Sequence, residues 1–220
     1  MQQMEERARS VHALRLGWLN RLYDPVVRYT TREATFKEQL IAAAGIDEYS
    51  TVVDPGCGTG TLAVWIAERY PSAIIWRVDG DAAVLDIART KASARRVDVR
   101  LVRSLATRLS FPDSSVDRVV STLFFHHLSP ADKRICLPEI FRVLKPAGEL
   151  HVADWGKPAN VLMRTLFLSV RLLDGFENTH DNVAGFLPRL MLEAGATNAS
   201  STSQIDTVYG TLALYRASRA

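Results

Sequence analysis

The segment Val52-Val53-Asp54-Pro55-Gly56-Cys57-Gly58-Thr59-Gly60 constrains this chain more than any other. Three alternate glycines follow a short apolar run and precede residues 62–70, which recur with helical periodicity until Pro71. Without β-carbons, the backbone can turn sharply from strand to helix and let a ligand approach closely. Further apolar runs at 73–79, 97–102, 116–122 and 149–154 read as strands, with helices at 81–93 and 130–144 among them. Short apolar strands alternating with helices predict an α/β fold whose mostly parallel sheet is covered on both faces. Two strand-like segments at 201–207 and 209–216, joined by a tight turn at 208–210, complete seven strands and predict an antiparallel edge hairpin.

The flanks set the domain organisation. Residues 5–22 and 26–44 read as helices interrupted at Asp24-Pro25 and closed by Gly45, which predicts a helical cap over 1–45 ahead of a ligand-binding domain over 46–220. An insertion around 157–190, with helical stretches near 159–173 and 182–194, separates the fifth strand from the hairpin. The run 161–173 is strongly apolar, but Arg164 and Arg171 interrupt it and it is shorter than the roughly 20 residues of a spanning helix. The first ten residues carry charge where a signal peptide has its apolar core, so the chain is expected to be cytoplasmic.

Charge and cysteine usage narrow the partners. With 27 Lys+Arg against 24 Asp+Glu the net charge is only +3, too little to argue for nucleic acid. The basic stretch Arg89, Lys91, Arg95, Arg96, Arg100, Arg103 and Arg108 reads first as a solvated face. Two cysteines, Cys57 and Cys136, without a Cys/His cluster at ligand spacing, suggest a reduced compartment and no metal.

In open α/β sheets ligands bind beyond the carboxyl ends of the strands, where the winding reverses. Asp54, Asp79, the segment 103–106, Thr122 with the following turn, and Asp154-Trp155 should therefore ring one crevice. The loop by itself leaves two cofactor classes open. Gly58-Thr59-Gly60-Thr61-Leu62-Ala63 satisfies the permissive dinucleotide pattern, with Asp79 about 20 residues on. Asp54, however, would repel a pyrophosphate and attract, directly or through water, the ammonium of an amino-acid moiety. That carboxylate tilts the choice toward S-adenosylmethionine.

The motifs then become specific. VVDPGCGTG resembles the first motif of class I S-adenosylmethionine-dependent methyltransferases, and WRVDGDAAVLDIAR their second. LSFPDSSVDRVVSTLFFHHLS and EIFRVLKPAGELHVADWG resemble the later motifs of the ubiquinone/menaquinone-methyltransferase-like branch. The resemblance runs over about 51–156 and implies a Rossmann-like fold and transfer of a methyl group to a small, hydrophobic or aromatic acceptor. It implies that Asp54, Pro55, Gly56, Cys57 and Gly58 surround the methionine part, with Asp79 on the ribose and Gly80 beside it. Thr122 falls at the same rim. Tyr23 and Arg32 resemble the segment that covers the cofactor in related enzymes. The family often has Gly-Asp-Ala where this chain has Ser104-Leu105-Ala106, which leaves apolar contact from Leu105 and a backbone bond at Ala106 for the adenine. Pro55 and Ala147 depart from the family's commoner residues, and Ala147 is expected to avoid positive φ.

His126, His127 and Asp154 are the candidate catalytic residues. An imidazole has a pKa suited to taking a proton from a phenol or enol, while Asp154 reads as either a base or an orienting group. Trp155 reads as an acceptor wall or as core, and 174–182 as a lid or a surface loop. A nicotinamide oxidoreductase and a non-catalytic cofactor-binding partner subunit stay open as alternatives. So do a homodimer and, more remotely, a nucleic-acid substrate.

Overall fold

The computed structural model describes residues 32–220, so the expected helix 5–22 and Tyr23 lie outside the described residues. Helix α1 (Glu33–Ala43) leads into β1 (Thr51–Pro55), α2 (Thr61–Arg69), β2 (Ile74–Asp79), α3 (Ala82–Arg95), β3 (Arg100–Arg103) and β4 (Val116–Thr122). A 3-10 turn (Phe125–His127), α4 (Pro130–Val143) and β5 (Leu144–Trp155) follow. Four short helices, α5 (Val161–Leu166), α6 (Leu168–Asp174), α7 (His180–Ala184) and α8 (Leu187–Glu193), precede the hairpin of β6 (Ala196–Thr207) and β7 (Gly210–Arg219).

The seven strands form one sheet in the order β3-β2-β1-β4-β5-β7-β6. The first five strands in that order run parallel, and β7 is antiparallel to both its neighbours. The strand order reverses between β1 and β4, which puts the ligand crevice at their carboxyl ends.

Successive side chains along a strand point to opposite faces, so Val52 and Val53 feed two different cores. Val53, Val119 and Val152 pack with Leu137 and Ile140 of α4 and Leu187 and Met191 of α8. Val52, Ile75, Val120 and Ala153 pack with Phe36 and Leu40 of α1 and Leu62 and Ile66 of α2. The crevice is thus built on a frame held from both sides.

One expectation about the backbone is corrected here. Ala147 has φ 60, in the left-handed region. The pairing of β4 with β5 jumps from Val116↔Leu144 to Arg118↔Glu149, so β5 must absorb surplus residues, and Ala147 takes the reversed curvature. Gly148 cannot share that role with a larger residue, since a Cβ there would sit 2.8 Å from the Lys145 carbonyl. The expected strand 149–154 is accordingly longer, beginning at Leu144.

Candidate active site at the carboxyl ends of β1, β2, β4 and β5

The loop after β1 is shaped by what lies against each glycine. A Cβ on Gly56, whose φ is +67, would fall 2.0 Å from the ring of Phe124, so this position must lack one for the turn after β4 to close on the loop. At Gly58 a Cβ would meet nothing within 4 Å, which leaves open space beside the middle of the loop. From the other side Lys91 of α3 donates to the hydroxyls of Thr59 and Thr61 at 2.9 and 2.8 Å. The basic stretch therefore contributes one side chain to the loop. Other members are engaged locally: Arg89 pairs with Asp86, Arg95 with Glu68, and Arg100 lies over the Trp76 ring.

Asp54 supplies the central electrostatic feature. It is 1% exposed, and neither carboxylate oxygen has a hydrogen-bond partner. Burial pushes its pKa up to about 7, against the pull of Lys37 and Arg77 and with a smaller push from Asp79. Arg77 stands in register with Asp54 on β2 and is fully buried; its Nη1 donates to the Ala88 carbonyl at 2.9 Å, while Nε and Nη2 have no partner. Lys37 is spent on an ion pair with Glu33 within α1, and burial lowers its pKa. Burial and the nearby carboxylates raise the Cys57 thiol, so it is no nucleophile at neutral pH. A buried carboxylate without a donor, beside a loop with open space, fits a cationic amino-acid group and opposes a diphosphate.

Asp79 closes β2 on the same rim. Its Oδ2 accepts the Gly58 N–H at 3.1 Å and its Oδ1 the Asp81 N–H at 3.0 Å, which ties the second strand end to the glycine loop. Each oxygen keeps a lone pair for a further donor. Burial raises the Asp79 pKa despite these bonds. Leu105 is 55% exposed and lies against Gly80, where a Cβ would come within 2.9 Å of its Cδ2. Ala106 is buried beneath it. Thr122 is half-buried at the end of β4. Arg32 is exposed at the N-terminal end of α1, in a left-handed conformation.

The two histidines occupy different environments. His126 is buried, and its Nδ1 lies 2.6 Å from Asp154 Oδ1. Asp154, wholly buried, also accepts the backbone N–H groups of Trp155, Phe124 and His126 at 2.7, 3.2 and 3.3 Å. Burial works against its ionisation, but His126 and these bonds outweigh it and hold the carboxyl below its ordinary value. Of the two readings open for Asp154, this environment fits the orienting group. This contact fixes the orientation of the His126 ring, with Nδ1 on Asp154 and Nε2 turned toward Asp174.

Asp174, from the end of α6, faces both rings, 3.2 Å from His127 Nδ1 and 3.7 Å from His126 Nε2. His127 is half-buried, and burial together with His126 lowers its pKa. His126, His127 and Asp174 each bring a donor atom within 4.8 Å of the others, a spacing for which the imidazole–carboxylate contacts account. Trp155 is buried between His126 and Phe167, with ring centroids 6.3 and 5.2 Å away, so it backs the histidine as core. The segment 174–182 is tied down: Asn178 donates to the His127 carbonyl and Asn182 to that of Trp155.

Sequence reasoning did not single out Lys37, Arg77, Phe124 or Asp174. Arg77 had a signal, as a charged residue inside an otherwise apolar strand. Lys37 and Asp174 had none, because each reaches the site from an element whose docking no local pattern specifies.

Parallel strands with the hairpin order -β7-β6 at one edge, and a carboxylate-flanked glycine loop at the switch point, give the chain the topology of the Rossmann-like class I methyltransferase fold. Residues 52–148 match the family model described as a methyltransferase domain. The demethylmenaquinone methyltransferase of Thermus thermophilus is 39% identical over 107 residues, covering 49% of this chain and 48% of the relative. The ubiquinone/menaquinone biosynthesis C-methyltransferase of Syntrophotalea carbinolica is 29% identical over 155 residues, covering 70% and 62%. A solved S-adenosylmethionine-dependent methyltransferase from Aquifex aeolicus superposes with a TM-score of 0.68 at 18% identity, covering 93% of this chain and 99% of that one. Over residues 52–148 the chain is similar to methyltransferase domains, and the curated relatives it resembles carry the names of menaquinone and ubiquinone methyltransferases. It spans about half the length of the curated relatives from Thermus thermophilus and Deinococcus radiodurans.

Proposed function

We propose that this protein is a methyltransferase that uses S-adenosylmethionine to methylate a small hydrophobic, aromatic acceptor. The observation that carries the cofactor half is the buried, donorless carboxylate of Asp54 beside the open face of Gly58. Asp54, Pro55, Gly56, Cys57 and Gly58 would hold the amino-acid part, Asp79 and Gly80 the ribose, and Leu105 and Ala106 the adenine. Thr122 completes the rim. Arg32, with Tyr23 from the proposed cap over 1–45, would close the site within a chain whose catalytic domain is 46–220.

Bound there, the cofactor supplies a methyl group already activated on a sulfonium, with a neutral leaving group. The chain's own task is to align the acceptor, exclude water and hold the acceptor's proton. One of the two histidines would serve the last of these: Asp154 orients the His126 ring through Nδ1, and Asp174 faces both rings. His127, on the more open side, would contact the acceptor. The names of the relatives from Thermus thermophilus and Syntrophotalea carbinolica, which refer to menaquinone or ubiquinone, support a quinol-like acceptor.

Calorimetry with S-adenosylhomocysteine and with NADH tests the cofactor. Binding of the first and not the second is expected, and the reverse would restore the oxidoreductase alternative. Transfer of labelled methyl to a panel of apolar hydroquinones tests the acceptor. Tight cofactor binding without any labelled product would favour a silent partner subunit.

A further inference from the structure

The insertion helices present an apolar face on their outer side. In α5 and α6, Met163, Phe167 and Val170 recur at helical spacing and are buried toward the sheet. Val161, Leu168 and Leu172 recur on the opposite side, with Leu162 and Leu173 beside them. Val161 is 81%, Leu172 73% and Leu173 84% exposed. A helical segment apolar on both faces needs a second apolar environment.

Charge specifies which one. From Gly156 to Leu173 the chain carries Lys157, Arg164 and Arg171 and no acidic residue. Arg164 and Arg171 lie seven residues apart, on one edge of the apolar ridge. Arg164 is exposed, whereas Arg171 is half-buried and engaged with Phe176, its guanidinium over the ring at 4.5 Å from the centroid and Nη2 donating to the Phe176 carbonyl. An apolar ridge with cations along its border suits an interface where leucines enter acyl chains and guanidinium groups stay at anionic headgroups.

We propose that the outer face of α5 and α6 docks on an anionic bilayer surface. Among the described residues no helix is long and apolar enough to cross a membrane, so the contact is peripheral. The ridge ends at Asp174, the residue that faces both histidines. On the reading that the acceptor is hydrophobic, the bilayer is also where the acceptor comes from; the docking itself does not rest on that reading.

Co-sedimentation of the full chain with phosphatidylcholine vesicles, with and without phosphatidylglycerol, tests the proposal without requiring turnover. Binding should favour the anionic vesicles and weaken with added salt. Arg164→Glu should reduce that binding by fivefold or more, since each basic residue is worth about 1 kcal/mol at such a surface. The double variant Leu172→Glu/Leu173→Glu should lose it while keeping its affinity for S-adenosylhomocysteine, which shows that it is folded. Equal binding to both vesicle types, no binding, or a double variant that sediments like the parent would overturn the proposal. So would self-association abolished by the same substitutions, which would assign the face to a second copy. Failure of the parent to bind S-adenosylhomocysteine would count against the cofactor reading and leave the sedimentation result intact.

Discussion

The charge state of Asp54 should make cofactor binding release a proton. The carboxyl is buried and has no donor, and burial pushes its pKa up to about 7, well above the ordinary carboxylate range. Because the folded pKa is the higher one, the folded protein holds this proton more tightly than the unfolded chain does. Its contribution to stability is therefore greatest below about pH 4 and is lost as pH climbs to about 7, by an amount on the order of 4 kcal/mol. An ammonium brought within about 6 Å, directly or through water, reverses the balance and returns Asp54 to the carboxylate. Lys37 and Arg77 already pull this group toward the carboxylate, and Asp79 pushes it toward the neutral form. Linkage then requires affinity to rise with pH up to the raised pKa and to flatten above it. For S-adenosylhomocysteine this gives a strengthening of up to about 25-fold between pH 5.5 and 7.5. Calorimetry in two buffers of different ionisation enthalpy would register the proton released at the acid end. Asp54→Asn should bind more weakly at pH 7.5, show no pH dependence in this window, and melt above the parent at pH 8. A parental affinity that is flat across the window, with no proton exchanged, would refute the assignment of Asp54 to the cofactor's ammonium.

Other substitutions separate the roles further. Asp79→Ala should weaken S-adenosylhomocysteine binding by about 1.5–3 kcal/mol through loss of charge-assisted hydrogen bonds, measured by calorimetry. His126→Ala should slow single-turnover methyl transfer to a phenolic acceptor by about 10²–10⁴-fold with cofactor affinity unchanged; an unaltered rate would remove His126 as proton acceptor. Gly56→Ala should destabilise the fold by about 2–4 kcal/mol in denaturant titration, because the new methyl combines a left-handed backbone with a clash against the Phe124 ring. Ala147→Gly should stabilise the fold by about 1 kcal/mol and raise the melting temperature by about 2–4 °C, since φ 60 costs alanine and not glycine.

What could be read in the sequence follows from how local each signal is. The strand expected at 116–122 matches β4 (Val116–Thr122), because Val116, Val119 and Val120 follow the polar turn Pro112-Asp113-Ser114-Ser115. The glycine loop was equally legible, since the requirement for missing side chains is written at the positions themselves. The start of β5 was not: its first residues pair with β4 through an irregular register, and only that tertiary pairing puts Ala147 at positive φ. The same division runs through the site. Asp54 and Asp79 end strands, so topology alone carries them to the crevice. Whether Asp154 serves as base or anchor depends on two backbone N–H groups and a ring nitrogen from the turn after β4 converging on it beside the N–H of Trp155, and no spacing along the chain encodes that convergence. Asp174 is the extreme case, a residue of the segment read as a lid or a surface loop that reaches the histidines only because Met163, Phe167 and Val170 anchor α5 and α6 in the core. Strand-borne cofactor residues can therefore be named from a motif. The residues that condition the acceptor side come from the insertion and depend on how that insertion packs.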